Sequence, residues 1–149
     1  MSEELTELYQ EIILDHNKRP RNYRPLPLAT HQAEGNNPMC GDEIEVYLRV
    51  EGDRIEEVTF QGQGCAISRA SASLLTEMLT GKTVGEARAL DSDVLDVLRN
   101  GGRELDLAED GDLAALSGVR QFPARIKCAT LAWHAAEAAL QGETEVTTE

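Results

Sequence analysis

Three cysteines stand far apart in the sequence, and each lies beside residues that turn or start an element. Cys40 is in "NNPMCGDE", Cys65 in "QGQGCAIS", and Cys128 in "RIKCAT". A free cysteine that only fills space packs as a small hydrophobe within an apolar stripe. None of these three has that setting. Asp42 follows Cys40 by two residues, with Gly41 between them to let the backbone turn. Three thiolates and one carboxylate would complete a four-coordinate shell. Zinc accepts both donors, at about 2.3 Å for sulfur and 2.0–2.2 Å for oxygen, and thiolates also hold iron–sulfur clusters. There is no Cys-x-x-Cys pair, so spacing alone leaves inert thiols as the other reading.

Convergence of these residues depends on the elements that carry them. Leu5, Leu8, Tyr9, Ile12, Ile13 and His16 have the three-four spacing of an amphipathic helix. Ser2 is its expected cap, and the helix should stop before Pro20. The segment "HNKRPRNYRPLP" reads as an extended basic loop, solvated or serving as a docking edge. A weak strand is expected in "LATHQAEG". Ile44, Val46, Leu48 and Val50 alternate with polar neighbours, and "IEEVTF" returns after the "EGDR" turn, which predicts a hairpin. The start of its first strand and the end of its second lie at one end of the hairpin. Cys40 and Cys65 can therefore be neighbours.

A helix is predicted over about 66–79, stopped by Gly81. A short helix with a capping box follows at Thr83–Glu86 and runs to about Ala89. Another helix is expected in "DSDVLDVLRNGG", then a connecting segment with short helical turns, and a last helix over about 124–140. That helix would hold Cys128 in its first turn, where the positive end of the helix dipole favours thiolate, as it does at Cys65. The order predicts one α+β domain over residues 1–149: a small three-stranded antiparallel sheet with helices packed on one face. The tail from about 142 is expected to be disordered.

The formal charge of −13 argues against nucleic acid and anionic membranes as partners. No run approaches the ~18 apolar residues of a membrane span. The acidic start lacks a secretory signal pattern, and the odd cysteine count suits a reducing compartment, so the cytoplasm is the expected location. A zinc hydrolase would need a histidine-rich open site and a placed base, which this sequence lacks. Of the histidines, His16 is expected in the core or an interface and His31 on a strand surface. His134, six residues from Cys128, falls on another helix face. Trp133 reads as packing.

The sequence resembles the U-type iron–sulfur cluster assembly proteins, the SufU/IscU family with its NifU-like N-terminal domain. "LYQEIILDHNKRPRN" looks like the family's first segment, and "NPMCGDE", "GQGCAIS" and "KCATLAW" look like its three cysteine motifs in order. The resemblance implies that Cys40, Asp42, Cys65 and Cys128 bind zinc or carry a cluster. It also implies a pyridoxal-phosphate cysteine desulfurase, SufS-like, as partner, with downstream assembly or acceptor proteins beyond it. Lys127 stands where IscU scaffolds have histidine, and the stretch between the second and third cysteines is long; both features resemble the SufU branch. That branch implies a zinc-bound acceptor of persulfide sulfur, acting like a sulfurtransferase, with cluster scaffolding as the alternative. Cys40, on a loop, is the expected acceptor. Arg125, a turn before Cys128, could support the departing thiolate or Asp42, or be a solvated helix-start arginine. Asp15 and residues 20–22 match the family's early motif and are expected at the site's edge or a docking surface.

Overall fold

A computed structural model describes residues 3–147. Helix α1 spans Glu3–Lys18, with Glu3 and Glu4 in its first turn and Lys18 in its last, each complementing the helix dipole. Its expected cap, Ser2, lies outside the described residues. Tyr9, Ile13 and His16 form its buried stripe.

Strands β1 (His31–Asn37), β2 (Asp42–Glu51) and β3 (Arg54–Gln63) form an antiparallel meander. Ile44, Val46 and Leu48 of β2 are wholly buried, as is Phe60 of β3. The weak first strand begins at His31, later than "LATHQAEG" suggested. The tail does not stay outside the fold: Glu145–Thr147 form β4, parallel to β1, so the sheet has four strands in the order β3-β2-β1-β4. An open β1 edge offers unpaired backbone groups, and Thr144 O accepts from the Glu34 N–H at 2.9 Å.

Helix α2 (Ala66–Leu79) leaves β3 through Gly64 and Cys65, with Cys65 at its N-cap. Helix α3 spans Val84–Asn100 without a break, where two helices were expected. "LDSD" reads as a helix start, yet Asp91 lies mid-helix and buried while Val94, Leu95 and Leu98 continue the apolar face. The predicted capping box is present: Thr83 accepts from the Glu86 N–H at 3.1 Å and Glu86 accepts from the Thr83 N–H at 2.9 Å. Helix α4 (Leu107–Asp110) and a 3-10 segment (Gly111–Gln121) make the expected connector.

Helix α5 (Pro123–Leu140) is the centre of the fold. Ala129, Ala132, Ala135, Ala136, Ala138 and Ala139 are all buried, so the helix is covered on several sides. Small residues let its neighbours approach closely. A Cβ at Gly35 of β1 would come within 2.9 Å of Leu131 Cδ1. Trp133 is fully buried and donates its indole N–H to Ser71 Oγ at 3.0 Å, and Ser71 Oγ donates to Ala129 O at 2.6 Å, which ties α5 to α2. Among the described residues, no helix is long and apolar enough to cross a membrane.

The loop at 19–30 is held by its own chain. Arg21 donates to Asp15 at 2.7 Å, Asn22 to Thr76 Oγ1 at 3.0 Å, and Arg24 to Glu57 at 2.5 Å. His16, 1% exposed, hydrogen-bonds Ser73 Oγ at 2.8 Å.

Candidate metal centre

The β1–β2 turn builds the first wall of the centre. Asn37 ends β1 and Asp42 begins β2, and the two are register partners. The turn closes with N–H groups of Cys40 and Gly41 both bonding Asn37 O, at 3.2 and 2.9 Å. Gly41 has φ +73°, the left-handed region that suits glycine. Cys40 is thereby held out on an exposed turn, while Asp42 is 1% exposed.

The start of α2 builds the second wall. Glu43 pairs with Gln63 across the hairpin, so the end of β3 is beside the start of β2. The Cys65 N–H donates to Asp42 Oδ1 at 2.9 Å, and the thiol of Cys65 lies 3.8 Å from Ser68 Oγ. No side chain caps α2, whose first N–H groups have no intrahelical partner. Gly64 is sterically required: a Cβ there would be 2.5 Å from both Asp42 Oδ1 and Ser68 Oγ.

Helix α5 closes the centre. It begins at Pro123, so Cys128 sits in its second turn and not in the first as expected. The dipole acts mainly over the first turn, and the thiol is wholly buried. Burial pushes the Cys128 thiol well above the ordinary cysteine range, and its contacts with Asp42 and Cys65 push the same way. The expected thiolate-favouring effect of the helix start therefore fails at Cys128 in the protein alone.

Ligand atoms of Cys40, Asp42 and Cys128 lie within 4.8 Å of one another. Cys65 is outside that tight group, although its thiol is close enough to Cys128 to raise the latter's pKa. A tetrahedral ion with bonds of about 2.3 Å sets its donors roughly 3.8 Å apart, so the spacing of Cys40, Asp42 and Cys128 is already near what an ion needs. The donor set also fits in chemistry. The Cys65 N–H and the Asn37 amide orient Asp42, one on each carboxylate oxygen, and a metal cation would offset the charge of a Cys128 thiolate beside Asp42 and Cys65. These residues could hold zinc.

Two further residues border the centre. Asn37, 1% exposed, donates its side-chain amide to Asp42 Oδ2 at 3.2 Å and to Cys128 Sγ at 3.6 Å. Sequence reading missed Asn37; its only signal is its place just before the "PMCGD" turn. Arg125 is solvent-exposed, and its pKa is raised first by its hydrogen bond to Cys128 and then by the charges of Cys65, Cys128 and Cys40. Lys127 reaches the turn that carries Cys40, with Nζ 4.0 Å from Met39 Sδ. Asp15 and residues 20–22 brace α1 against α2 through Ser73 and Thr76. His134 lies on another face of α5, where burial holds its pKa below the ordinary histidine value. A depression of about 390 Å³ on the outer sheet face, lined by Tyr23, Glu34, Glu43, Glu45 and Gln61, contains none of the cysteines.

Residues 8–142 match the family described as the NifU-like N terminal domain. The chain is 44% identical over 134 residues to the zinc-dependent sulfurtransferase SufU of Bacillus subtilis, covering 89% of each chain. It is 39% identical to the iron–sulfur cluster assembly scaffold protein IscU of Streptococcus pyogenes, covering 92% of this chain and 85% of that one. A crystal structure of a SUF-system protein from Fervidobacterium islandicum superposes with a TM-score of 0.80 at 35% identity, covering 90% of this chain and 97% of the other.

Proposed function

The chain belongs to the NifU-like N-terminal domain family of iron–sulfur cluster assembly, and we propose that within it this protein is a zinc-bound acceptor of persulfide sulfur from a pyridoxal-phosphate cysteine desulfurase. The observation that carries this reading is the grouping of Cys40, Asp42 and Cys128 within 4.8 Å, with Cys65 at the adjoining helix start. Cys40, Asp42, Cys65 and Cys128 are the proposed ligands. Zinc bound there would keep the thiols deprotonated near neutral pH.

The three thiols differ in freedom. Cys128 is buried, Cys65 is half-buried at a helix cap, and Cys40 is exposed on a turn. Cys40 is therefore the acceptor that can leave the group with least disturbance. Its thiolate attacks the outer sulfur of the desulfurase persulfide. A new S–S bond forms on Cys40, the partner's S–S bond breaks, and the partner's cysteine departs as thiolate. Arg125, with its guanidinium against Cys128, offers positive charge to the thiol group during this exchange. Lys127 in place of histidine favours the SufU-like reading. The identity shared with IscU scaffolds keeps cluster assembly on the same cysteines as the second reading.

Zinc-loaded protein mixed with the desulfurase and labelled cysteine tests this. The expected result is one added sulfur atom on the peptide containing Cys40, together with faster desulfurase turnover. Cys40→Ser should show neither. A Cys40→Ser protein that still takes the label would overturn the assignment. A brown protein that passes its cluster intact to an apo-acceptor would favour the scaffold reading.

A further inference from the structure

A second polar cluster lies between α3 and α5, at the other end of α5 from Cys128. Asp91 is 1% exposed in the middle of α3. Neither of its carboxyl oxygens has a hydrogen-bond partner. Burying a carboxyl without a donor is costly, and burying it charged is more so. Its ionisable neighbour across the interface is Glu137 of α5, which is close enough to hydrogen-bond it but as a carboxylate can only accept. A cavity of about 220 Å³ opens against the pair, lined also by Arg88, Ser92 and Gln141. A water occupies about 30 Å³ of liquid volume, so the cavity has room for an ion with several waters. Glu137 lies in the last turn of α5 and Gln141 is its C-cap, at the end where the helix dipole is negative. The two carboxyls favour positive charge in the cavity, Arg88 at its exposed edge opposes it, and Leu140 supplies an apolar wall.

We propose that Asp91 and Glu137 form a binding site for a hard divalent cation such as magnesium, calcium or manganese, separate from the cysteine centre. The donors available are two carboxylates, the Ser92 hydroxyl and the Gln141 amide oxygen, all oxygen ligands of the kind these ions take. The ion neutralises the two acids and joins α3 to the helix that carries Cys128. Glu137 is nine residues beyond Cys128, about 13.5 Å along the helix, so the two sites do not share ligands.

The test uses protein already loaded with zinc, so that the thiols are occupied. Manganese(II) is added and the free ion is followed by its electron paramagnetic resonance signal. One saturable manganese per chain is expected, displaced by calcium or magnesium. Asp91→Asn and Glu137→Gln should each abolish it, while Glu109→Gln, on an exposed part of α4, should leave it intact. Glu137 is only half-buried, so its variant remains informative if Asp91→Asn folds poorly. Absence of saturable binding, or binding that survives Glu137→Gln, overturns the proposal; absence would mean that the acids are neutralised by a shared proton or by Arg88. The measurement needs no desulfurase and is independent of the proposed sulfur transfer.

Discussion

Asn37 is the residue on which the geometry of the centre turns. Its amide bridges Asp42 and Cys128, which come from different elements 86 residues apart in sequence (128 − 42). Outer residues that orient ligands commonly change metal affinity by about 10–100-fold when removed. Asn37→Ala should therefore weaken zinc binding by about that factor, measured by competition with a chelator of known affinity. The fold should survive, because Asn37 ends a strand whose backbone pairing does not need the side chain. Unchanged zinc affinity would reduce Asn37 to a packing role. At this scale the sequence was partly legible. Cysteine placement and the Asp42 spacing pointed to one centre, because residue type and turn context carry that chemistry directly. Asn37 and the requirement for Gly64 were not legible. Both depend on what another element brings into contact, and no local pattern encodes that.

Elements were legible where the pattern was local. The β2–β3 hairpin, the capping box at Thr83 and the start of α2 follow from alternation, cap residues and glycine placement. The continuity of α3 was hidden by "LDSD", since aspartate and serine usually mark helix starts and here sit inside one. The position of Cys128 was missed by the count along the helix: from a start at 124 or at Pro123 it is the fifth or sixth residue, beyond the roughly 3.6 residues of the first turn. Beyond α3 the chain is held by Arg103, which donates to Asp93 Oδ2 at 2.8 Å and to Asp110 Oδ1 at 2.9 Å, joining α3 to α4. The Arg103 hydrogen bond lowers the pKa of Asp110 below its ordinary value. A depressed folded-state pKa contributes stability above the unfolded value and loses it as pH falls through the folded one. Arg103→Ala should cost about 0.5–1 kcal/mol near neutral pH, the range for exposed pairs of good geometry. The gap from wild type should close below about pH 4, as denaturant melts across pH would report. A constant gap down to pH 2 would assign the effect to packing.

Across the whole molecule, the final strand sets a packing gain against charge. β4 extends the sheet by pairing with Glu34, Gly35 and Asn36 of β1, the strand that ends at Asn37 beside the metal centre. The same pairing aligns Glu145 with Glu34, and Glu34 is already opposite Glu45 on β2. Like charges directly opposite across strands destabilise pairing, and the chain as a whole carries −13. The strand holds because Val146 packs against the core and the Glu34 N–H is satisfied by Thr144 O. Its composition, "ETEVTTE", looked like a tail because nothing within it announces the open β1 edge it meets. Removing residues 143–149 should cost about 1–2 kcal/mol, a few net hydrogen bonds at about 0.5–1.5 kcal/mol each. The Glu34 amide should lose its hydrogen-exchange protection. Zinc affinity should be unchanged, since no centre residue lies in the segment. The repulsion gives a second signature: salt screens exposed charges over about 10 Å at 0.1 M, so the full chain should gain more thermal stability from added salt than the shortened one. Equal salt responses would mean that the three glutamates do not oppose the strand they help to build.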